Sequence, residues 1–311
     1  MTDADGGFFS SEPFLGAVAE VYFPGEPWRR EDVAVAGQRF RVLVVGRNHV
    51  VGRVRVMPVF YRPLGPATGT ERRLAGLPSA CRAVIPAREW LAMPRSRFSP
   101  SPFVDFTRFA TWEAYLGDSE GWHGPRHWYT ERARDARRLA REAGPVEFTF
   151  ADKAGGLVPL LLGWKARQLD TAGEGHPFHN PLALQLYEAL RARGVLEAAT
   201  VRAGGRLVAG ALHTSWGGTV IFRLTVFDPA FAKHSPGTLV LHGLLEHAYR
   251  HGMAEADLLL GDEAYKWRYA TDVRGAGHVG RPPWREQVVR HLGRIPLAGY
   301  PFRFTDRRRR G

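Results

Sequence analysis

The sequence predicts a mixed α/β fold, with enough chain for two domains. Folded domains usually contain about 100 to 200 residues, and this chain has 311. Between Ala198 and Phe227, glycine pairs separate three strand-like runs, and an amphipathic helix follows them. This order of elements, with 44% hydrophobic and 24% charged residues, is typical of a globular protein that combines helices with a sheet.

The first part of the chain alternates strand-like runs with proline-rich breaks. The runs Phe40–Val45 and Val50–Val59 flank Gly46–His49, and this arrangement predicts a hairpin. A helix is predicted at Pro86–Met93. Aromatic residues cluster in Phe109–Trp128, and we interpret them as the lining of a core or groove rather than as a platform for stacking nucleobases.

A helix is predicted from Thr130 to Ala143, because Gly144-Pro145 is a common helix stop. Four of its arginines are spaced i, i+3, i+4 and i+7 and therefore share one face: Arg134, Arg137, Arg138 and Arg141. Two interpretations stay open. The stripe is either a solvated helix face or a surface aligned with the phosphates of a nucleic acid.

Net charge is the abnormal feature of the composition. The chain has 43 Lys and Arg against 31 Asp and Glu, a net charge of +12. This favours a polyanionic partner, although nucleotide bias in the coding DNA would also enrich arginine. The terminal run Arg307–Arg310 is a candidate contact with such a partner or, alternatively, a disordered and solvated end.

The middle of the chain predicts an antiparallel meander preceded by a strand and two helices. The glycine pairs Gly204-Gly205 and Gly217-Gly218 supply the positive φ that tight hairpins need. The elements expected before and within the meander are a strand at Val146–Phe150, helices at Gly163–Leu169 and Pro181–Arg193, and strands at Ala198–Val201, Arg206–Ser215 and Thr219–Phe227.

A helix follows the meander and begins at Ser235-Pro236-Gly237. Serine suits the N-cap, proline the first helical position, and glycine lets a ligand approach the exposed backbone N–H groups. The helix ends at Gly252, and Ala256–Leu260 reads as a short buried strand. A helix N-terminus beside a strand end is a natural site for an anionic group.

Several classes of protein are disfavoured. The chain has no run of about 18 apolar residues, and its acidic start, Met1–Gly7, does not predict a secretory signal. A single cysteine, Cys81, excludes an internal disulfide and a cysteine-based zinc site. His176 and His179 have no third ligand at suitable spacing, so no metal is expected. These observations favour a cytoplasmic protein.

Three sequence blocks carry a family resemblance. They are Trp164–Gln168, Phe227–Ala230 with His234–Gly237, and Leu260–Lys266. In this order, the three blocks together resemble the CelD/BcsL-type, FemAB-like branch of the GNAT acyltransferase superfamily. The resemblance covers Arg126 to Ala270 and implies a GNAT fold. Relatives often carry two GNAT-like halves. We therefore expect a diverged half at 1–125, an acyltransferase domain at 126–290 and a basic tail at 291–311.

The sequence departs from the acetyl-CoA-dependent members of the superfamily at the loop that would bind the acyl donor. Those enzymes cradle a pyrophosphate on a loop with several glycines, whereas Lys233–Thr238 has one glycine and a proline that removes an N–H donor. FemAB-like enzymes show the same loss and transfer an aminoacyl group from charged tRNA to an amine. The resemblance thus implies aminoacyl-tRNA as co-substrate with no further cofactor, and a small-molecule amine as acceptor, with specialised metabolism as one setting.

Two other functions stay open. The first is an acyl-CoA-dependent N-acyltransferase, and the second is a nucleic-acid-binding module without catalysis. The catalytic candidates are Lys266, Asp262, Glu263, His234 and Tyr265. Lys266 matches the lysine of the family's Tyr-Lys block and is expected to stabilise the oxyanion or the terminal phosphate of tRNA, although a salt bridge to Asp262 would explain it as well.

The remaining candidates are expected to bind substrates. His213 and His234 are also candidate bases, on the expectation of a near-neutral pKa. The donor-binding set is Ser235, Gly237, Thr238, His213, Arg223, Trp164 and Gln168. The tRNA-binding set is the arginine stripe Arg134, Arg137, Arg138 and Arg141.

Overall fold

The computed structural model describes residues 7–35, 38–45, 48–49, 81–86, 98–118, 128–152, 155–173, 178–259, 261 and 263–279. The predicted strand Val50–Val59, nearly all of the predicted helix Pro86–Met93, Asp262 and the tail 291–311 lie outside these residues. Within the described part of the chain, none of the helices has the length and apolar character needed to traverse a bilayer.

The elements alternate between helices and strands along the chain. The helices are α1 (Glu12–Tyr22), α2 (Trp112–Gly117), α3 (Trp128–Ala143), α4 (Leu157–Thr171), α5 (Pro181–Ala192), α6 (Pro236–Arg250) and α7 (Ala264–Tyr269). Short 3-10 helices span Phe8–Ser10, Phe106–Arg108 and Pro229–His234. The strands are β1 (Trp28–Val35), β2 (Gln38–Val45), β3 (Asn48–His49), β4 (Cys81–Pro86), β5 (Phe98–Asp105), β6 (Val146–Asp152), β7 (Glu197–Ala203), β8 (Arg206–Trp216), β9 (Thr219–Phe227), β10 (Glu255–Asp257) and β11 (Asp272–Val279).

Eight strands form a central sheet in the order β4-β11-β5-β10-β9-β8-β7-β6, and β1, β2 and β3 form a smaller antiparallel sheet. This arrangement confirms the mixed α/β fold class. The chain reverses after β2 as predicted, but Asn48 and His49, which we placed in the turn, pair with the end of β2, and the predicted second strand lies outside the described residues. The central sheet includes strands from both sides of residue 125, where we placed a domain boundary.

The predicted meander is confirmed. Strands β7, β8 and β9 pair antiparallel in sequence order, and β6 extends the meander by one strand. Gly204, Gly205, Gly217 and Gly218 all have positive φ, as tight hairpin turns require. The predicted helices at Pro181–Arg193 and Thr130–Ala143 are confirmed as α5 and α3, and the predicted helix Gly163–Leu169 is the middle of the longer α4.

Two hydrophobic cores cover the two faces of the central sheet. Helices α1, α4 and α5 pack on the face that bears Leu212 and Ile221, which we call the α5 face. Helices α3 and α6 pack on the face that bears Ala211 and Phe222, which we call the α6 face. Alternation of side chains along each strand assigns the polar residues of the sheet to one face or the other.

The strands β9 and β10 separate within the sheet. They run parallel and pair only from Glu255 opposite Thr219 to Asp257 opposite Ile221, whereas β9 continues to Phe227. β10 also pairs antiparallel with β5 over the same three residues. After Asp257 the chain continues along β5 alone, since Leu258 N donates to Pro102 O at 3.1 Å and Gly261 N donates to Pro100 O at 3.1 Å. The predicted strand Ala256–Leu260 is therefore shorter than expected, and a split opens between the two strands.

Candidate functional site

Lys266 lies buried near the split, with its side chain 6% exposed. Its Nζ is 3.0 Å from Oε2 of Glu263, whose side chain is 47% exposed. Glu263 is the extended N-cap residue of α7, with φ −67° and ψ 129°, and its side chain does not cap the helix. It is therefore free to reach toward Lys266. Asp262, the other predicted catalytic carboxylate, lies outside the described residues.

Burial lowers the pKa of Lys266 below the ordinary lysine value, and the carboxylates of Glu263 and Asp257 oppose this effect. Asp257 is itself buried. Its Oδ1 accepts hydrogen bonds from Leu259 N at 2.8 Å and from Ser101 Oγ at 3.4 Å. A cation held this far from water interacts strongly with any charge that develops beside it.

Gly261 permits the approach of Glu263 to Lys266. Its φ of +139° lies in a region that only glycine adopts readily. A Cβ at this position would lie 1.9 Å from Glu263 Oε2 and 2.7 Å from Lys266 Nζ. The sequence Gly-Asp-Glu therefore places a glycine where the backbone must leave room for the ion pair.

The start of α6 differs from the prediction in its details. Ser235 occupies the N-cap position but has a left-handed conformation, with φ 49°, and its side chain accepts no capping hydrogen bond. Its carbonyl accepts from Thr238 N at 2.9 Å and from Leu239 N at 3.1 Å. An added Cβ on Gly237 would lie 3.2 Å from the Phe227 ring. Close packing against β9 therefore explains this glycine, without an approaching ligand.

His234 is buried below α3 and does not face Lys266. Its Nε2 is 3.2 Å from Oε2 of Glu142. The same carboxylate oxygen is 2.5 Å from Lys233 Nζ, and Arg138 Nε donates to Oε1 at 2.9 Å. The bonds to Lys233 and Arg138 lower the pKa of Glu142 to about 2. The network ties the entry of α6 to the end of α3, which favours a positioning role for His234 over a catalytic one.

His213 lies on the α6 face, beneath β6 and α6. Its Nε2 donates to Phe150 O at 2.7 Å, and burial lowers its pKa to about 4. The expectation of a near-neutral pKa for this histidine is therefore wrong. The cause is desolvation, since a protonated imidazole would lose its water on both faces of the ring.

Arg223 lies at a bulge in β9. The register passes from Leu212 opposite Leu224 to His213 opposite Phe222, so Arg223 has no residue directly across from it. Its Nε donates to Thr214 Oγ1 at 3.0 Å. Bulges commonly occur where a strand re-aims a side chain toward a functional site.

The guanidinium of Arg223 also rests on two aromatic rings. It lies 4.8 Å from the centroid of the Phe8 ring and 5.3 Å from that of Phe9. Both phenylalanines are 2% exposed and belong to the core of the α5 face. Sequence analysis missed this interaction, because nothing in the local pattern around Phe8 indicates a partner so distant along the chain.

The remaining candidates are distributed around the domain. Trp164 and Gln168 lie on α4; Trp164 packs against the core of the α5 face, and Gln168 is exposed and accepts a hydrogen bond from Lys165 Nζ at 3.3 Å. Tyr265 packs against the core of the α6 face. The predicted stripe on α3 is exposed along its whole length, comprising Arg134, Arg137, Arg138 and Arg141.

The structure therefore brings together part of the predicted site. Lys266 and Glu263 lie beside the end of β10, and Arg223 lies on the neighbouring strand. His213 and His234 are committed to hydrogen bonds elsewhere. Among the described residues, no group of three or more His, Cys, Asp or Glu side chains could hold a metal ion.

Comparison with known proteins agrees with this architecture. Residues 129–267 match the family described as "Acetyltransferase (GNAT) domain". The crystal structure of FemX is similar with a TM-score of 0.50 at 11% identity, over 89% of this chain and 92% of that one. No curated protein has a significant sequence match to the chain.

Two further solved structures are more distant. A GCN5-related N-acetyltransferase from Kribbella flavida has a TM-score of 0.40 at 15% identity, over 91% of this chain and 97% of its own. A tandem GNAT protein from the clavulanic acid biosynthesis pathway has a TM-score of 0.36 at 13% identity, over 86% and 89%. Residues 129–267, somewhat less than half of the chain, thus match a GNAT-type acetyltransferase domain, and this match indicates an acyltransferase.

Proposed function

We propose that the protein transfers an aminoacyl group from aminoacyl-tRNA to the amine of a small-molecule acceptor, forming an amide. The observation that supports this donor is the first turn of α6. Pro236 has no N–H, and the N–H of Thr238, which an ordinary helix start leaves unpaired, already donates to Ser235 O. A diphosphate needs several free amides at a helix start, so this turn is a poor cradle for coenzyme A.

The charges near the split suit the chemistry of amide formation. The attacking amine must lose a proton as the ester carbonyl becomes a tetrahedral oxyanion. Lys266 supplies a buried positive charge to stabilise that oxyanion. Glu263, half exposed and 3.0 Å from Lys266, is the group that holds the incoming ammonium and receives its proton. When the oxyanion collapses, the ester C–O bond breaks and the terminal ribose oxygen of the tRNA leaves and takes up a proton. Because an aminoacyl ester is already activated, positioning and charge account for most of the acceleration.

The surface of α3 offers a site for the tRNA. Arg134, Arg137 and Arg141 are exposed on one face of the helix, and the chain carries a net charge of +12. Each cation that binds a phosphate adds salt-sensitive affinity. Arg138, the fourth member of the stripe, already donates to Glu142 and so contributes less to binding. The FemAB-like resemblance supports the same donor, and a reaction that consumes charged tRNA would take place in the cytoplasm.

The second candidate is an acyl-CoA-dependent N-acyltransferase. The match of residues 129–267 to an acetyltransferase family favours it, and the same Lys266 and Glu263 would act on a thioester. The two candidates differ only in the donor. Neither depends on the identity of the acceptor.

One experiment separates the two donors. The protein is incubated with a pool of labelled aminoacyl-tRNAs and, in parallel, with a panel of acyl-CoAs, each with an extract of small amines as acceptors. Our proposal expects loss of label from the tRNA pool, formation of an amide product, and abolition of both by ribonuclease. Turnover of an acyl-CoA that survives ribonuclease would favour the second candidate. Turnover of neither pool would count against both.

A further inference from the structure

We propose that Asp257 is a positioning residue for Lys266. Its carboxylate fixes the turn through which the chain leaves β10 toward Lys266, and its negative charge keeps the buried ammonium protonated during the reaction. This inference rests on the proposed function, in which Lys266 stabilises the oxyanion. It adds a residue that acts on the reaction through Lys266, without contact to the substrate.

The loop after β10, which carries the buried lysine, leaves the sheet and returns to it at the same stretch of β5. Near its start, Gly261 N donates to Pro100 O at 3.1 Å, and at its end Thr271 N donates to Phe103 O at 3.0 Å. Phe103 is also the residue of β5 that pairs opposite Asp257. The loop is therefore closed over a short part of β5, and Asp257 lies at its base.

The side chain of Asp257 sets the direction in which this loop leaves the sheet. Its Oδ1 accepts from Leu259 N at 2.8 Å and from the buried Ser101 Oγ at 3.4 Å. Leu259 has a left-handed backbone, with φ 59°, which is unfavourable for leucine and persists only where its surroundings impose it. Two residues later, a Cβ on Gly261 would lie 2.7 Å from Lys266 Nζ. The turn that Asp257 holds thus determines where the backbone beside the ammonium lies.

Asp257 also acts on the charge of Lys266. It is 8% exposed, so water and salt screen its charge little. Burial lowers the pKa of Lys266, and the carboxylates of Glu263 and Asp257 both raise it. In the proposed reaction Glu263 receives the proton of the amine and becomes neutral. Of these two carboxylates, Asp257 is then the one that still balances the ammonium.

Other charged groups near Lys266 have partners or lie in solvent. Glu255, two residues before Asp257 on the same side of β10, forms an ion pair with Arg274 of β11. Arg268, on the same helix as Lys266, is exposed. Asp257 is therefore the carboxylate of β10 whose removal should change the charge of Lys266.

A titration of the lysine side chains tests the proposal without any substrate. Lysine labelled with ¹³C at Cε gives few signals, because the chain has four lysines: Lys153, Lys165, Lys233 and Lys266. Lys266→Met identifies the signal of Lys266. We expect Asp257→Asn to move the titration of Lys266 to lower pH, because the variant lacks the charge that favours the ammonium. Its amide oxygen can still accept from Leu259 N, so the turn is kept.

Asp105→Asn is the matched control. Asp105 lies on the neighbouring strand β5, and its Oδ1 accepts from Thr107 N, two residues on, at 3.0 Å, as Asp257 accepts from Leu259 N. The control removes the same charge and the same kind of turn contact, and Lys266 should titrate as in the wild type. If Asp257→Asn leaves the titration unchanged, or both variants move it equally, the proposal is overturned.

A second neutral variant guards against loss of the fold. Asp257→Ser has a hydroxyl that can accept in the same turn, and it should move the titration of Lys266 in the same direction. Thermal unfolding identifies variants that do not fold. If neither Asp257→Asn nor Asp257→Ser folds, Asp257 is structural and the proposal fails.

Kinetics show whether Asp257 acts through Lys266. The alkaline limb of the rate of transfer should move to lower pH in Asp257→Asn by the same interval as the titration, whereas loss of a structural residue would lower the rate equally at every pH. In the Lys266→Met background, adding Asp257→Asn should lower the remaining rate by about twofold or less, because the group through which Asp257 acts is absent. A larger further loss would contradict the proposal.

The two proposals fail in different ways. If the protein turns over neither aminoacyl-tRNA nor acyl-CoA, the proposed function fails, and the titration of Lys266 still decides the role of Asp257. If transfer occurs but Lys266 titrates alike with and without the carboxylate of Asp257, only the present inference fails.

Discussion

At the scale of single residues, buried charge separates functional positions from structural ones. Folding gains little from a lysine placed out of water, because desolvation of the ammonium offsets the attraction of its partner. Lys266 is in this situation, and burial lowers its pKa. A residue that costs stability where it stands is retained for another reason.

Replacing Lys266 by methionine is therefore expected to separate activity from stability. Transfer should fall by about 100- to 1000-fold, the usual cost of losing a group that stabilises an oxyanion. The free energy of unfolding at pH 7 should stay the same or rise, because the desolvation cost disappears and Glu263 remains hydrated. Steady-state kinetics and urea unfolding measure the two quantities. Arg268→Met, which removes an exposed cation from the same helix α7, is the control and should keep full activity. A variant that loses stability and activity in parallel would make Lys266 structural.

The lowered pKa of Lys266 also determines how the rate of transfer should change at alkaline pH. Catalysis needs the protonated form, so the rate should fall as pH rises through the lowered pKa, below the ordinary lysine value. In the Lys266→Arg variant, whose charge persists across this range, any remaining activity should lack that limb. If the alkaline limb is unchanged in Lys266→Arg, a group other than Lys266 causes it.

Because the pKa of His213 is lowered in the folded chain, we expect the protein to lose stability in acid. The unfolded chain binds a proton with a pKa near 6.5, whereas the folded chain does so only at about 4. The unfolded state thus binds more protons between these values, and stability falls as pH drops from 6.5 to 4, by about 3 kcal/mol in total for this residue. Denaturant unfolding across this range should show a smaller loss in His213→Gln, whereas exposed His179→Gln should behave as the parent does. Equal slopes in all three would contradict the burial of a neutral ring.

At the scale of elements, local patterns predicted those parts of the fold whose partners are close in sequence. The meander and α5 are marked by glycine pairs, helix caps and apolar spacing, and the structure contains them nearly as expected. The length of β10 could not be predicted in this way. Its pairing with β9 ends after Asp257, whereas the chain continues along β5, a strand far earlier in the sequence. Lys266, Glu263 and Arg223 were therefore candidates from the sequence, whereas the hydrogen bond between Asp257 and Ser101 and the contact of Arg223 with Phe8 could not be predicted from it.

The start of α6 predicts an unusual response to substitution. Removing a serine that caps a helix usually lowers the free energy of unfolding by about 1 kcal/mol. Ser235 has a left-handed backbone and no capping bond from its side chain, so Ser235→Gly should relieve strain and raise the free energy of unfolding by up to about 1 kcal/mol. Thermal and urea unfolding test this. The control is Asn180→Gly at the start of α5, where the side chain does cap Leu182 N at 3.0 Å, and no such gain is expected. Destabilisation by Ser235→Gly would indicate a cap that operates in solution.

At the scale of the whole molecule, the residues for which we propose functions lie on two separate surfaces. Lys266 lies near the split, and α3, which packs on the α6 face, exposes its arginines. Composition alone indicated an anionic partner but not where it binds. The exposure of Arg134, Arg137 and Arg141 on one helix converts that general expectation into a defined surface.

The salt dependence of tRNA binding tests that surface. In the double variant Arg134→Ala with Arg137→Ala, affinity for aminoacyl-tRNA should fall about tenfold or more at low salt. The slope of log affinity against log salt should decrease by about two, because the variant neutralises two fewer phosphates. Filter binding between about 50 and 200 mM salt measures both. Arg167→Ala with Arg193→Ala removes the same charge from exposed positions on α4 and after α5. If the two double variants reduce the slope equally, net charge rather than the stripe governs binding. If neither changes it, tRNA does not bind α3, and the acyl-CoA donor gains support.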